Sequence, residues 1–427
     1  IKNIDVTFEV ITPNVAPSFE IITPQIREIE VKEPEFVVAK DNFNFSLNLF
    51  DSNIEDKEDH TIVFDLSPET KAMEVKDPIN VVPVTEINQN GIVKYSLEDY
   101  LEKEKARLTA YHEIIPADAK PELLVDGKKT KPELFFTEGP KWMNGKIYLS
   151  NMFFDQNWGA NPKKSSTVEL DPNGTYRNIS EGKMQTNGLY PYKNGNLIVC
   201  DMMGHRVVEM TTNGEVVKVL ADKFEGKSID GPNDVITDAK GGFYFTDPQF
   251  TMEPTKFQPG RAVYYVSAEG KITRLVQPNE FAMPNGILLS PDGKTLYINN
   301  CYDNESWYPV NSEKDNHIWA YDVNADGSIS NGRKFATLFL TENVLDRKGK
   351  SSSADGMAID TDGNIYVATY YGVQIVNTKG TFVGMINLPS FPVSLCFGDT
   401  DLKTLYIVSY SKVYKIKTNK KGFVQYL

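Results

Sequence analysis

One pattern occurs six times in the last two thirds of the chain, and it limits the fold more than any other feature. Its clearest copy is SIDGPNDVITDAKGGFYFTDPQF, Ser228 to Phe250: a polar tip, a short apolar strand, a tight turn, a second strand and an Asp-Pro exit. The relatives begin at Glu138 (EGPKWMNGKIYLSN), Thr186 (TNGLYPYKNGNLIVCD), Met283 (MPNGILLSPDGKTLYINN), Ala354 (ADGMAIDTDGNIYVAT) and Phe391 (FPVSLCFGDTDLKTLYIVS). Their second strands start near Ile147, Leu197, Phe243, Leu296, Ile365 and Leu405, which are 50, 46, 53, 69 and 40 residues apart. Short strands separated by Gly, Asp and Asn turns at this period define a β-propeller, whose blades bury their faces only against neighbouring blades. Six copies predict six blades.

The repeats leave residues 1 to 120 over, so the expected organisation is an accessory domain over 1–120 and a propeller over 121–427. Alternating segments at Ile4 to Val10, Ser18 to Ile22, Ile29 to Val31, Phe43 to Leu49 and Thr61 to Leu66 read as strands divided by prolines, and Tyr100 to Leu108 reads as a helix. The expectation is a small β-rich domain, an Ig-like sandwich plus one helix, with a lid or a dimerisation surface as its competing roles. Residues Ile115 to Pro132 read as a linker.

Composition excludes some classes. A net charge of −13 gives no electrostatic attraction to nucleic acid or to an anionic membrane. No apolar run reaches the 18 or so residues of a membrane span. Cys200, Cys301 and Cys396 lack paired spacing and fall in or beside predicted strands, which suits inert buried thiols. The chain starts at Ile1, which fits removal of a preceding segment. With the accessory β domain, this gives an expectation of a periplasmic or secreted location over a cytoplasmic one.

Strand alternation puts the short turns on one face of the disc and the polar tips, with the long loops, on the other. Glu138, Asn187, Asn233, Asn285 and Asp355 lie 9 to 11 residues ahead of their second strands, so all five occupy one structural phase. The sixth repeat has Pro392 to Ser394 there, with neither carboxylate nor amide. Taken singly, an Asn-Gly or Asp-Gly pair is a turn. Five oxygen-bearing tips around one axis, with no basic residue among them, read as a cage for a hard cation. Ca²⁺ is the expected ion, with Mg²⁺, Mn²⁺ or Zn²⁺ as alternatives. A second calcium-like run, Asp322 to Gly327, has Arg333 where an EF-hand needs its bidentate Glu, so it reads as a hairpin turn.

At these motifs, EGPKW, NGLYPYKNGNLIVCD, GPNDVITDAKGGFYFTDP, MPNGILLSPDGKTLYINN and ADGMAIDTDGNIYVAT, the chain from about Phe135 onward resembles the senescence-marker-protein-30/gluconolactonase group of six-bladed calcium propellers. The resemblance implies hydrolysis of a lactone, above all a sugar lactone, or of a related aryl ester or phosphotriester. It implies metal ligation by Glu138, Asn233, Asn285 and Asp355, with Asp355 also the catalytic base. Some sugar-lactone members carry Arg two residues before the third-blade Asn. This chain has Gly231 there, a departure that counts against a sugar.

Asn187 and His205 are the expected substrate contacts, and Phe250, Trp307 and Tyr308 are candidates to wall the pocket. The chain has only four histidines and no G-x-S-x-G, so no Ser-His-Asp arrangement is evident. The competing functions are a non-catalytic, metal-pinned ligand-binding propeller and a metal-free propeller of the strictosidine-synthase kind. The expected partner is a small-molecule lactone or ester, and the oligomeric state is open.

Overall fold

A computed structural model describes the strands Thr7–Glu9, Ser46–Asn48, Thr61–Val63, Val84–Asn88 and Gly91–Tyr95 in the first 96 residues, and then residues 97–155, 159–250, 256–301, 316–338 and 352–426. The chain divides into two compact units, Ile1–Leu108 and Thr109–Leu427. In the first, Thr7–Glu9, Ser46–Asn48 and Thr61–Val63 form a three-stranded antiparallel sheet, and Val84–Asn88 pairs with Gly91–Tyr95 as a hairpin. The expected strands at Ser18 to Ile22 and Ile29 to Val31 lie outside the described residues.

The second unit is a six-bladed β-propeller of four-stranded antiparallel sheets. The inner strands are Phe136–Met143, Thr186–Pro191, Val235–Thr237, Pro284–Leu289, Met357–Ile359 and Ser394–Gly398. The second strands start at Lys146, Leu197, Phe243, Thr295, Ile365 and Thr404, each within one residue of the spacing predicted from sequence. These strands are sandwiched between adjacent blades, so both of their faces must be apolar. Leu197–Asp201, for example, is buried at every position. Tyr244, Phe245 and Tyr264 stack between blades, each 0% exposed, and each such side chain contributes about 1.5–3 kcal/mol of burial.

The segment read as a linker contains the strand that closes the ring. Glu122–Asp126 pairs antiparallel with Lys412–Lys417 and becomes the outermost strand of blade six, whose three inner strands come from the other end of the chain. Ring closure is therefore made by hydrogen bonds between residues almost 300 positions apart, and the strand escaped notice because it is short and largely exposed on its outer half. The helix runs from Leu97 to Ile114, longer than predicted. Tyr111, Ile114 and Ile115 at its end are buried among Tyr366, Val373, Val383 and Phe397 of blades five and six.

Asp322 to Gly327 is a hairpin turn, as expected: Asn324 N–H donates to the Ser328 carbonyl at 2.8 Å, and Asp322 pairs with Arg333 at 2.7 Å. All three cysteines are buried, free thiols, and burial pushes Cys396 up to about 12. No described helix is long and apolar enough to cross a membrane.

Candidate functional site

The tips of the inner strands build the site, and their neighbours decide how closely they approach. Four of the five tip residues are followed by glycine: Gly139, Gly188, Gly286 and Gly356. In each case the glycine lies against the next tip around the ring. A Cβ at Gly139 would stand 2.7 Å from the Asn187 carbonyl oxygen, and at Gly188 2.6 Å from that of Asn233. At Gly286 it would stand 2.4 Å from the Asp355 carbonyl oxygen, and at Gly356 2.0 Å from Ser394 Oγ. No side chain fits there, so the Gly in these motifs serves blade-to-blade contact at the axis.

Hydrogen bonds knit the same ring. Ser150 Oγ donates to the Asn187 carbonyl at 2.6 Å, Gly188 N–H to Asn233 at 2.7 Å, and Thr246 Oγ1 to Asn285 at 2.8 Å. Asn299 Nδ2 donates to Asp355 at 2.6 Å, Gly356 N–H to Val393 at 3.0 Å, and Thr137 N–H to Tyr410 at 2.8 Å, which returns to blade one. Every tip carbonyl in blades two to five is thus held by the preceding blade.

Glu138, Asn285 and Asp355 are brought together. The Glu138 carboxyl and the Asn285 side chain both lie close enough to Asp355 to act on its proton equilibrium. Glu138 Oε2 also accepts the Gly139 N–H at 2.6 Å. Burial and mutual repulsion push Glu138 well above the carboxylate range, and burial followed by the field of Asp234 pushes Asp355 up to about 7. Asn233 and Asn187 are 6% and 5% exposed at the equivalent tips, and neither side-chain amide is hydrogen-bonded to a described residue.

This donor set fits a hard divalent ion. All the donors are oxygens, the two acids repel each other in a way that a dication would relieve, and neither is within ion-pair distance of a described Lys or Arg. Among the described residues no group of three or more His, Cys, Asp or Glu gathers as a metal cluster, and two of the four expected ligands here are amides.

Two residues of the channel were missed by sequence reasoning, and one of them corrects it. Lys141, three residues past Glu138 on the same inner strand, is 8% exposed, with its ammonium 5.7 Å from the centre of the Tyr190 ring. The expectation of no basic residue near the cage therefore fails, because a bulge between Glu138 and Lys141 keeps the lysine on the channel side. Asp234 occupies the position that is glycine in the other four tips. Its Oδ1 accepts Val235 N–H at 2.9 Å and its Oδ2 accepts Ile287 N–H of blade four at 3.2 Å. The exception to the X-Gly pattern was the signal available for Asp234, and for Lys141 it was a basic residue three positions past Glu138 on the same strand.

His205 lies in the turn between the second and third strands of blade two, on the face of the tips, at φ +54°. Its Nδ1 bonds the Asp230 carbonyl and its ring meets Phe257 edge-on at 5.2 Å. The structure thus ties His205 to the loop leading to Asn233, three residues upstream of the tip. Asp230 is itself anchored: its N–H donates to Asp247 Oδ2 at 2.8 Å, and its carboxylate accepts Phe257 N–H at 2.6 Å and Gln258 N–H at 3.0 Å. Gly231 N–H donates to Asp247 Oδ1 at 2.9 Å.

Phe250 is exposed, and Trp307 and Tyr308 lie outside the described residues. A chain of ring contacts on this face runs through blades one, six and five. Phe154 meets Phe136 at 5.7 Å, Phe136 meets Tyr410 at 5.2 Å, Tyr410 meets Phe391 at 5.8 Å, and Phe391 meets Tyr370 at 5.4 Å. They went unremarked because blades five and six turn between strands two and three in only two residues, Tyr370-Tyr371 and Tyr410-Ser411, where a long loop was expected.

Comparison with known proteins agrees with this geometry. The sequence profile of the family described as "SMP-30/Gluconolactonase/LRE-like region" matches residues 136–411. A gluconolactonase of Zymomonas mobilis is 26% identical over 306 residues, 68% of this chain and 80% of its own. Lactonase drp35 of Staphylococcus saprophyticus is 31% identical over 209 residues, 46% of this chain and 55% of its own. The crystal structure of a calcium-binding protein, regucalcin, from Agrobacterium tumefaciens superimposes with a TM-score of 0.52 at 17% identity, over 69% of this chain and 94% of its own, a likeness of fold.

Proposed function

Because this chain belongs to the SMP-30/gluconolactonase/LRE-like family, we propose that it is a calcium-dependent lactonase whose ion is held by Glu138, Asn233, Asn285 and Asp355. The observation that carries the reading is the gathering of the Glu138 and Asp355 carboxyls with the Asn285 side chain at the mouth of the channel, with Glu138 and Asn285 buried. Relatives that bear the names gluconolactonase and lactonase support lactone hydrolysis. A relative of the same fold described as calcium-binding supports the choice of ion.

A divalent ion bound there supplies Lewis-acid polarisation of the ester carbonyl. The chain's own residues do the rest. Asn285, beside Asp355, helps orient that carboxylate, and Asp355 takes the proton of the attacking water as general base. The water oxygen bonds to the carbonyl carbon, the ring C–O bond breaks, and the ring oxygen leaves as a hydroxyl with the proton from Asp355. The product is the open hydroxy acid. Asn187, with a side-chain amide bonded to no described residue, offers a donor and an acceptor to substrate hydroxyls, which supports a sugar lactone. His205 is assigned to the rim of the pocket as a further substrate contact, its Nδ1 engaged by the Asp230 carbonyl.

A second reading, an aryl ester or an apolar lactone, is favoured by the aromatic arc from Phe154 to Tyr370 and by Gly231, which presents no cation to a polar substrate. A panel of sugar lactones, aliphatic lactones, aryl esters and phosphotriesters, assayed with added Ca²⁺ and with chelator, tests both. Turnover of a lactone that chelator abolishes and Ca²⁺ restores is expected. Metal-independent turnover, or none on any substrate, overturns the proposal.

A further inference from the structure

The Asp-Pro exit of the third repeat, with the threonine before it, has a use beyond ending a strand. Asn233 stands ahead of its inner strand, whose last registered pair is Val235 with Phe245, so ladder pairing does not by itself fix the tip. Thr246 and Asp247, at the end of the second strand, do so instead. Asp230 N–H donates to Asp247 Oδ2 at 2.8 Å, and Gly231 N–H donates to Asp247 Oδ1 at 2.9 Å. Asn233 N–H donates to the Thr246 carbonyl at 2.8 Å, and Asp234 N–H donates to Thr246 Oγ1 at 3.1 Å. Pro232 has no N–H, so these two residues take up every backbone donor from Asp230 to Asp234.

Thr246 also reaches the next blade. Its hydroxyl accepts through a lone pair and has a proton left to give, and that proton goes to the Asn285 carbonyl at 2.8 Å. Thr246 lies three residues past the start of its sequence-phased strand at Phe243, the same place that Ser150 holds after Ile147 and Asn299 after Leu296. Those two side chains likewise donate to the tip carbonyl of the following blade. Thr246 and Asp247 are both buried, which keeps bulk water from competing for these bonds.

We infer that Thr246 and Asp247 are positioning residues for the metal site. Asp247 fixes the loop that delivers Asn233, and the Thr246 hydroxyl sets the spacing between that tip and Asn285. This rests on the metal site proposed above, and neither residue is a ligand.

Partners that orient metal ligands govern affinity by about 10–100-fold. Thr246→Val keeps the branched shape and removes the hydroxyl from between the Asp234 N–H and the Asn285 carbonyl, so Ca²⁺ binding weakens by about tenfold. Thr246→Ser keeps the hydroxyl and recovers most of that loss. Asp247→Asn leaves one acceptor oxygen where two N–H groups need one each, and Ca²⁺ binding weakens by about tenfold or more. Asp238→Asn is the control for a purely structural role. It lies in the turn of the same blade, on the opposite face, where Asp238 Oδ1 accepts Lys240 N–H and Gly242 N–H at 2.8 Å each. That variant melts lower and binds Ca²⁺ as the wild type does.

Calorimetric titration of the full chain with Ca²⁺ alone reads affinity without any substrate, thermal melting of the metal-free proteins reads stability, and circular dichroism confirms the fold of each. Weaker binding in Thr246→Val and Asp247→Asn, recovery in Thr246→Ser and wild-type affinity in Asp238→Asn are the expected results. Wild-type affinity in either Thr246→Val or Asp247→Asn overturns the inference. So does an equal loss in Asp238→Asn, which would trace the effect to stability alone. Should Asp247→Asn fail to fold, the comparison of Thr246→Val with Thr246→Ser decides by the same criterion. Absence of Ca²⁺ binding by the wild type is a different failure: it overturns the metal site itself, and the inference with it.

Discussion

The contact between blades four and five allows a prediction that depends on one missing methyl group. Gly286 follows the Asn285 tip, and a Cβ there would stand 2.4 Å from the Asp355 carbonyl oxygen, 2.8 Å from Asn299 Nδ2 and 3.1 Å from Met357 Cγ. The first of these neighbours is backbone. The second is fixed at both ends, since Asn299 Oδ1 accepts Gly286 N–H at 2.9 Å and its Nδ2 donates to Asp355 at 2.6 Å. Optimal contact distances begin near 3.5 Å, so Gly286→Ala must push the two tips apart by about 1 Å. Overpacking of this kind costs about 1–3 kcal/mol in stability. Because Asn285 and Asp355 sit on the two displaced tips, a shift near 1 Å costs about 100-fold in kcat/KM. The assay is chelator-sensitive lactone hydrolysis beside thermal melting. Gly293→Ala is the control: at φ +68° on the opposite face, with nothing near its added Cβ, it strains the backbone by about 1–2 kcal/mol and leaves kcat/KM unchanged. A Gly286→Ala protein with wild-type turnover would refute the idea that tip spacing sets the site.

Four further outcomes are expected. Asp355→Asn removes the base and one member of the repelling pair, so turnover falls by about 100-fold or more while the metal-free protein melts no lower than wild type, read by steady-state kinetics and calorimetry. Deleting residues 1–127 removes the outer strand of blade six with buried Val125, and this truncated chain unfolds at a markedly lower temperature than one that keeps Glu122–Asp126. Tyr111→Ala, at a side chain 2% exposed and packed on Gly384, lowers stability by about 3–5 kcal/mol in denaturant titration without altering metal affinity. Burial depresses His317 to about 4 from its ordinary value, so the folded state prefers the neutral imidazole. Its stabilising contribution is therefore present above pH 6.5 and is lost as pH falls toward 4, about 1–2 kcal/mol after allowing for its partial exposure, and melting curves of His317→Asn against pH lack this component.

Much of the fold was legible because the propeller writes each blade with the same punctuation. The second strands were placed within a residue from turn chemistry alone, since Asn-Gly and Asp-Gly turns and fully apolar strands leave little choice. The tips were legible for the same reason, through their common phase. Closure by Glu122–Asp126 was not, because a short outer strand with one buried residue carries no period that sequence alone can reveal. Lys141 was hidden by a related ambiguity: a charged residue in a strand points to solvent or to the axis according to a bulge, and bulges leave no mark in the sequence. The role of Gly in the tips changed for a physical reason too. Sequence suggested turns, whereas the structure shows close approach of neighbouring blades.

The most direct test is a crystal structure of the Ca²⁺-loaded protein with anomalous scattering from the metal. The account predicts one strong peak at the channel mouth, with oxygens of Glu138, Asn233, Asn285 and Asp355 about 2.3–2.6 Å away and Lys141 outside the coordination sphere. A peak elsewhere, or no peak with the Lys141 ammonium drawn onto Glu138 and Asp355, would contradict it.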